Sequence, residues 1–160
     1  MRVLLAVDGS EFSEEAERSV IAQFRPTATQ VRVLNVIEPI SSYISADLFP
    51  HLVSQSVAIA VDRVKQAREM VARVAGNLRK AGFQASELVE EGDPKTVILD
   101  QASEWPADLI VLGSHGLKGL NRFVMGSVSA AVSQHAKCSV EVVRPRIAGK
   151  QASGKRRSAR

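Results

Sequence analysis

Residues 108–127 read DLIVLGSHGLKGLNRFVMGS. The first five of them form a short apolar run that predicts a buried β-strand. Apolar residues such as Val128 and Val132 then recur at helical spacing, so a helix is expected to begin at Gly126 and Ser127. A glycine-rich loop between a strand and a helix start is typical of phosphate sites, because glycines let the backbone come close and the first helical N–H groups are free donors. The stretch therefore predicts a phosphate-binding loop.

The rest of the chain alternates between strands and helices. Apolar runs predict five strands, at 3–7, 31–37, 83–89, 108–112 and 138–143. Four helices are predicted. The first runs from an N-cap at Ser13 to Pro26, and the second is long, over about 51–80, and ends before Gly82. The third has Asp93 as N-cap and Pro94 at its first position, and the fourth follows Gly126 and ends at His135. Residues 40–50 are expected to form a loop and 90–94 a turn.

This alternation predicts an α/β fold with a single domain. Continuous apolar strands separated by helices indicate a five-stranded parallel sheet with helices on both faces. We expect a Rossmann-like, doubly wound sheet with strand order 3-2-1-4-5. Ligands of such sheets bind beyond the carboxyl ends of the strands, where the strand order reverses. The segments that follow the first and fourth strands, Asp8 to Ser10 and Gly113 onward, should therefore flank the binding crevice.

Composition limits the class of protein. A chain of 160 residues is long enough for one domain with a substantial core. The single cysteine, Cys138, excludes an internal disulfide, suits a reducing compartment, and is expected to be a buried, unreactive thiol. Asp8 interrupts the apolar start, which argues against a signal peptide, and no apolar run is long enough to span a membrane. We expect a cytoplasmic protein with no membrane span.

The charge is unevenly distributed. Residues 144–160 contain seven of the 21 Lys and Arg residues and no acid, whereas the first 143 residues carry 14 basic and 17 acidic residues. We therefore expect a folded domain at 1–144 and a basic, disordered tail at 145–160. A solubilising extension is the simpler role for this tail. The alternative is contact with nucleic acid or another anionic surface, although no aromatic residue is present for base stacking.

The glycine loop differs from two common phosphate-binding motifs. The chain has no Gly-x-x-x-x-Gly-Lys-Ser/Thr segment, and no Gly-x-Gly-x-x-Gly segment follows the first strand. Instead, Gly113-x-x-Gly116 is followed after nine residues by Gly126-Ser127. This pattern resembles the nucleotide-binding signature of the universal stress protein family, in its ATP-binding branch. The resemblance covers about residues 1–144 and extends to four further segments: Val7 to Ser10, Asn35-Val36, Gly92 to Pro94, and His135-Ala136 followed by Cys138.

The resemblance implies which residues hold the nucleotide. On the adenine and ribose side it implies Ala6, Val7, Asp8 and the backbone of Val36. For the ribose and phosphate cradle it implies Gly113, Ser114, His115, Gly116, Leu117, Lys118 and Gly119. For the outer phosphates it implies the helix start formed by Gly126, Ser127, Val128 and Ser129. It also implies ATP as the ligand, with any Mg²⁺ held mainly by the phosphates, and a homodimer formed through the last strand, Ser139 to Val143.

The residue types agree with this assignment. Gly116 and Gly126 allow a close backbone approach or a positive φ. The hydroxyls of Ser127 and Ser129 can donate hydrogen bonds, and the cations of Lys118 and Arg122 can offset phosphate charge. The simpler alternative is a tight turn followed by an ordinary helix cap. Asp8 could likewise be a turn residue at a helix start, and His115 a loop residue rather than a base or phosphate ligand.

Two functions follow from this sequence. The first is an ATP-binding regulatory protein of the stress response, in which nucleotide occupancy changes conformation or partner choice. The second is a slow ATPase or phosphotransferase that uses Asp8 or His115. Hydrolysis needs a positioned water, a base and usually a metal. Because no paired carboxylates and no His/Cys cluster stand out, binding without an assigned catalytic or metal-ligating residue is favoured.

Overall fold

Five parallel strands form one sheet in the order β3-β2-β1-β4-β5. The computed structural model describes residues 1–39, 50–117 and 125–145, without the side chains of 50–57. The strands are β1 (Arg2–Ala6), β2 (Gln30–Ile37), β3 (Gln84–Glu91), β4 (Leu109–Gly113) and β5 (Ser139–Val143). The helices are α1 (Glu11–Gln23), α2 (Pro50–Lys80), α3 (Pro94–Glu104) and α4 (Ser127–His135), with a 3₁₀ turn at Pro26–Ala28. The predicted fold class and strand order are confirmed.

Helices cover both faces of the sheet because neighbouring strand residues point to opposite sides. Leu5 packs with buried residues of α1 and α2, such as Val20 and Val71. Leu4, the residue before it, packs with Ile98 of α3 and Val132 of α4. Burial on both faces is the reason that the central strands read as continuous apolar runs rather than as alternating ones.

The first helix begins before its predicted N-cap. Ser10 is the N-cap residue, and its hydroxyl oxygen accepts a hydrogen bond from the backbone N–H of Ser13 at 3.2 Å. Ser13 lies within the first turn and donates its own hydroxyl to the Ser10 carbonyl at 3.0 Å. The helix also ends at Gln23, so Pro26 begins the 3₁₀ turn rather than ending α1. The prediction that Ser13 caps the helix is therefore wrong by one turn.

The other helix ends follow their sequence signals. Asp93 caps α3 by accepting from the N–H of Thr96, with Pro94 in the first turn. At the end of α2, Gly82 has φ +93°, its N–H bonds the Arg79 carbonyl at 2.9 Å, and the N–H of Phe83 bonds the Leu78 carbonyl at 3.0 Å. This pair of bonds is the Schellman arrangement, which requires a left-handed residue.

Strand β3 is longer than its sequence indicates. The sequence predicts a turn at Glu90 and Glu91, but these residues pair with Val36 and Ile37 as the last residues of β3. Because β3 is an edge strand, its side chains remain partly or fully exposed and glutamates are tolerated there. The turn begins only at Gly92, whose N–H bonds the Ile37 carbonyl at 3.0 Å.

Several expectations lie outside the described residues. They concern the loop at 40–49, the side chains of Lys118 and Arg122, the position of Gly119, and residues 146–160 of the tail. Within the described ranges, none of the helices combines the length and the apolar character needed to cross a lipid bilayer.

Candidate functional site

The segments that follow β1 and β4 lie beside each other at the carboxyl end of the sheet, where the crevice is predicted, and Asp8 links them. One carboxylate oxygen, Oδ1, accepts from the backbone N–H of Ser10 at 3.0 Å and from its hydroxyl at 2.6 Å. The other, Oδ2, accepts from the N–H of Leu117 at 3.0 Å. Asp8 therefore orders its own turn, as Asp commonly does two residues before a helix. It also holds Leu117, in the segment after β4, which is distant in sequence.

Ser114 connects the crevice to α4 and β5. This residue is fully buried. Its N–H donates to the Val143 carbonyl at 2.8 Å, and its carbonyl accepts from the N–H of Gly126 at 2.8 Å. The hydroxyl of Ser129 also donates to the Ser114 carbonyl, at 2.9 Å. Ser114 thus joins the end of β4, the start of α4 and the end of β5 through backbone groups.

Three described glycines of this region, Gly113, Gly116 and Gly126, lie close to other atoms of the protein. A Cβ at Gly113 would lie 2.7 Å from the Cβ of Phe12, and one at Gly116 would lie 2.7 Å from Oδ2 of Asp8. A Cβ at Gly126 would lie 3.0 Å from the Ser114 carbonyl oxygen. None of these three has a positive φ. Of the two reasons expected for Gly116 and Gly126, close approach therefore applies, and the approaching atoms are the protein's own.

The start of α4 offers free backbone donors. Its N-cap is Gly126, which has no side-chain oxygen to cap the helix, whereas α1 and α3 are capped by Ser10 and Asp93. The first intrahelical bond joins the N–H of Ala130 to the Gly126 carbonyl. The N–H groups of the three preceding residues, 127–129, therefore have no intrahelical acceptor, as in the first turn of any helix. They are the natural contacts for an anion.

The serines of this helix start differ in their availability. Ser127 is exposed, so its hydroxyl can reach a ligand. Ser129 is buried and donates its hydroxyl to the carbonyls of Ser114 and Gly126, each at 2.9 Å. The sequence predicts a hydroxyl donor at both serines. The Ser129 hydroxyl is therefore engaged within the protein, and its main-chain N–H is the donor that remains.

Val36 lies on the opposite wall of the crevice. The Leu34 carbonyl accepts from the N–H of Val7 at 2.9 Å, so the Leu34 main chain faces β1. The main-chain N–H and C=O groups of successive strand residues point to alternate sides. Those of Val36, two residues after Leu34, therefore also point toward the β1 side. Strand β1 ends at Ala6, the partner of Leu34, which leaves these groups of Val36 directed at the space beyond β1. Asn35 supports this wall by donating its amide to the Val7 carbonyl at 2.7 Å.

His115 is nearly buried beside the loop. Its Nδ1 lies 3.1 Å from the Ser114 hydroxyl, and its ring centroid lies 5.0 Å from that of Phe12. Its Nε2 has no hydrogen-bond partner among the described residues. Packing against α1 and Ser114 supports the interpretation of His115 as a loop-positioning residue.

The described residues contain no group of three or more His, Cys, Asp or Glu side chains that could hold a metal ion. The predicted site residues in the described ranges lie at the carboxyl ends of the neighbouring strands β2, β1 and β4 and at the start of α4: Ala6, Val7, Asp8, Val36, Gly113 to Leu117, and Gly126 to Ser129. Sequence reasoning missed the roles of Ser10 and Phe12. The Asp8-x-Ser10 spacing is a turn signal that could have identified Ser10, whereas Phe12 had no such signal.

Comparison with known proteins gives a consistent family. Residues 1–144 match the model of the universal stress protein family. Universal stress protein Sll1388 of Synechocystis sp. is 32% identical over 151 residues, covering 89% of this chain and 96% of that protein. The structure of the hypothetical protein MJ0577 superposes with a TM-score of 0.76 at 24% identity, covering 91% of this chain and 96% of that one.

Other solved structures with this fold contain nucleotides. One is the universal stress protein from Archaeoglobus fulgidus in complex with dAMP (TM-score 0.64, 23% identity, 90% of this chain and 98% of that one). Another is a universal stress protein family protein from Arabidopsis thaliana with AMP bound (TM-score 0.64, 18% identity, covering 96% of this chain and 97% of that one). A third is a universal stress protein in complex with cAMP (TM-score 0.62, 19% identity, covering 91% of this chain and 98% of that one). At these identities the structures establish a shared fold. With the family match over nearly the whole described chain, the conclusion is that this chain belongs to the universal stress protein family.

Proposed function

We propose that this protein binds an adenine nucleotide, ATP in particular, in the crevice between the β1 and β4 loops. The observation that carries the proposal is the start of α4, where the N–H groups of residues 127–129 lack intrahelical acceptors and Gly126 provides no side-chain cap. Structural relatives with AMP, dAMP and cAMP share the adenine group and support the ligand class. ATP is preferred because the Gly113 to Ser127 signature resembles that of the ATP-binding branch.

The two walls of the crevice suit the two ends of a nucleotide. The N–H and C=O of Val36 face the space beyond β1, where a base edge could exchange hydrogen bonds with them. The start of α4 suits phosphate, because unpaired N–H groups and the helix dipole both favour negative charge. Mg²⁺, when present, would be held mainly by the phosphates and would offset their charge.

Binding, rather than catalysis, is the role that this geometry supports. The two oxygens of Asp8 already accept three hydrogen bonds from Ser10 and Leu117. His115 packs on Phe12 and contacts Ser114. The unpartnered Nε2 of His115 is buried, whereas a general base must reach the water that it activates. We therefore assign both residues to the shape of the crevice, and we propose a regulatory protein whose nucleotide occupancy controls conformation or partner choice.

We also propose that the protein forms a homodimer through β5. This strand lies at the edge of the sheet, so one row of its main-chain N–H and C=O groups has no partner strand in the described chain. An unpaired edge is a template for pairing with a second copy. On its paired side, the bond from the Ser114 N–H to the Val143 carbonyl connects β5 to the segment after β4.

The binding proposal is tested by mass spectrometry of nucleotide released from freshly purified protein. We expect ATP or ADP in the wild type and none in Gly116→Val, because the added side chain would displace Asp8. Equal nucleotide in both proteins would contradict the site assignment. Turnover measured on the same samples tests the regulatory role. Rapid hydrolysis that is lost in Asp8→Asn or His115→Gln, with nucleotide binding intact, would instead establish an enzyme.

A further inference from the structure

Two arginines lie together at the other end of the sheet. Arg2 is the first residue of β1, and Arg32 on β2 is the register partner of Leu4. Since side chains alternate along a strand, Arg2, Leu4 and Arg32 lie on the same face, which is the face covered by α3 and α4. Asp8 lies six residues after Arg2, or about 20 Å away at about 3.3 Å per residue. The arginine pair is therefore separate from the proposed nucleotide site.

Both guanidinium groups meet at Trp105, the C-cap residue of α3. The Cζ atom of Arg32 lies 4.4 Å from the centroid of the Trp105 ring, a cation–π contact. The Nη1 of Arg2 donates to the Trp105 carbonyl at 3.4 Å. This carbonyl is among the helix-end acceptors without an intrahelical partner, and the helix dipole favours a cation there. Trp105 thus brings two like charges together.

Neither guanidinium has an anionic partner in the described part of the chain. No carboxylate oxygen there lies within 4.0 Å of either group, and the ion pairs that form involve Arg18, Lys65 and Arg79. Asp108 also lies near Arg2, but its Oδ2 accepts a hydrogen bond from the main-chain N–H of Arg2, at 2.6 Å, and not from the guanidinium. Burial lowers the pKa of Arg32, and the neighbouring charge of Arg2 lowers it further.

The surroundings of Arg2 are polar and open. A cavity of about 350 Å³ lies beside Arg2, and its lining includes Thr27, Thr29, Gln30, Gln84 and Asp108. Gln30 and Gln84 are linked by a 3.1 Å hydrogen bond on neighbouring strands. Arg32 makes no hydrogen bond to the described chain through its guanidinium, and Arg2 uses one of its donors on Trp105. Most of the N–H donors of the pair are therefore available.

We propose that Arg2 and Arg32 form a binding site for a tetrahedral oxyanion, namely a phosphate group. An anion between the two guanidiniums would remove their mutual repulsion and accept several N–H bonds at once. Guanidinium groups suit phosphate because their donors form a planar fork that can contact two oxygens. Because Arg32 covers one face of Trp105, the site favours the phosphate group over a stacked base. This proposal does not rest on the proposed nucleotide site.

Trp105 provides a local reporter, because it is the only tryptophan among the 160 residues. The full-length protein is titrated with inorganic phosphate at constant ionic strength, with sodium chloride as the reference titration. Tryptophan fluorescence and the Nε–H NMR signals of Arg2 and Arg32 are followed together. We expect saturable changes in both signals with phosphate and none with chloride. A parallel titration with phosphoserine distinguishes two sources of the phosphate group. If the natural ligand carries its phosphoryl group on a larger molecule, phosphoserine should bind more tightly than inorganic phosphate; if the ligand is free phosphate, it should not.

Variants make the test specific. Arg32→Gln and Arg2→Gln should each weaken phosphate binding about tenfold, as expected for loss of one charge-assisted contact. Arg32→Lys should restore only part of the affinity, since an ammonium lacks the fork. Arg18→Gln, an exposed arginine paired with Glu14 and Glu15, is the matched control and should bind as the wild type does. Three results would overturn the proposal: signal changes with chloride as large as those with phosphate, phosphate binding by Arg32→Gln as tight as that of the wild type, or no change in either signal with phosphate.

Discussion

Oδ2 of Asp8 accepts a hydrogen bond from the N–H of Leu117 at 3.0 Å, joining two loops that are 109 residues apart in sequence. Through Oδ1, the same carboxylate orders Ser10, the N-cap residue of α1. The described part of the β4 loop, up to Leu117, is therefore held by the protein's own contacts. Preformed loops reduce the entropy that binding must overcome. Asp8 would thus contribute to affinity through the shape of the crevice as well as through direct contact.

Replacing Asp8 should loosen the β4 loop. In Asp8→Asn, an amide group can replace only part of the carboxylate's acceptor capacity, so the Leu117 N–H should exchange with solvent faster. We expect the Kd for ATP to rise about tenfold, the effect of one charge-assisted hydrogen bond. Hydrogen exchange and calorimetric titration measure the two effects. Asp62→Asn, on the exposed part of α2, is the control and should change neither. Unchanged exchange at Leu117 in Asp8→Asn would refute this role.

Two glycines should respond oppositely to alanine. In Gly116→Ala the new Cβ would lie 2.7 Å from Oδ2 of Asp8, so the Asp8–Leu117 contact should be disturbed and nucleotide affinity should fall. Gly76 lies within α2, and a Cβ added there would meet no atom within 4 Å. Gly76→Ala should therefore stabilise the protein by about 0.5–1 kcal/mol, because alanine favours the helix. Chemical denaturation and ATP titration distinguish the pair, and equal behaviour of the two variants would contradict the contact.

The capping assignment of α1 is testable with two serines. Ser10→Ala removes the acceptor of the Ser13 N–H and a donor to Asp8, and should cost about 1–2 kcal/mol of unfolding free energy. Ser13→Ala removes only a hydroxyl bond to the Ser10 carbonyl, which also accepts from the N–H of Glu14. We expect less than half the cost for this variant. Urea denaturation gives both values. A larger cost at Ser13 would restore it as the N-cap.

Asp93 should make stability depend on acid pH. Hydrogen bonds from the Thr96 N–H and hydroxyl lower the pKa of its carboxyl group. A lowered folded-state pKa means that the stabilisation is complete above the unfolded pKa of about 3.9 and is lost as pH falls through the folded value. Asp93→Asn keeps a neutral cap, so the stability difference from the wild type should shrink below about pH 4. Denaturation midpoints at pH 3 to 7 measure it, and a constant difference would contradict the assignment.

Local patterns predict most of the fold because each strand and helix carries its own signal. Asp93 with Pro94 and Gly82 mark helix ends correctly, since a cap depends on residues within one turn. The N-cap of α1 is misplaced locally, at Ser13 instead of Ser10, whereas the error in β3 arises where a distant contact decides. Glu90 and Glu91 extend β3 only because β2 runs alongside them to Ile37.

The candidate site is predicted in outline but not in its internal contacts. The glycine spacing identifies the loop, yet the reason for Gly113 is the nearby backbone of Phe12, which sequence cannot show. Likewise, the buried hydroxyl of Ser129 donates to the Ser114 carbonyl, a contact that forms only when the start of α4 lies beside the segment after β4. Side-chain type indicates what a residue can donate, whereas the fold decides which acceptor receives it.

The most direct test of the central claim is a map of backbone amide chemical shifts during titration of ¹⁵N-labelled protein with ATP. We expect the largest changes at Ser127 and Val128, at Gly116 and Leu117, and at Val36, on both walls of the crevice. Residues near the ends of α1 and α2, such as Gln23 and Gly76, belong to neither proposed site and should remain unchanged. Absence of saturable changes, or changes confined to residues outside the crevice, would contradict the proposal that an adenine nucleotide binds there.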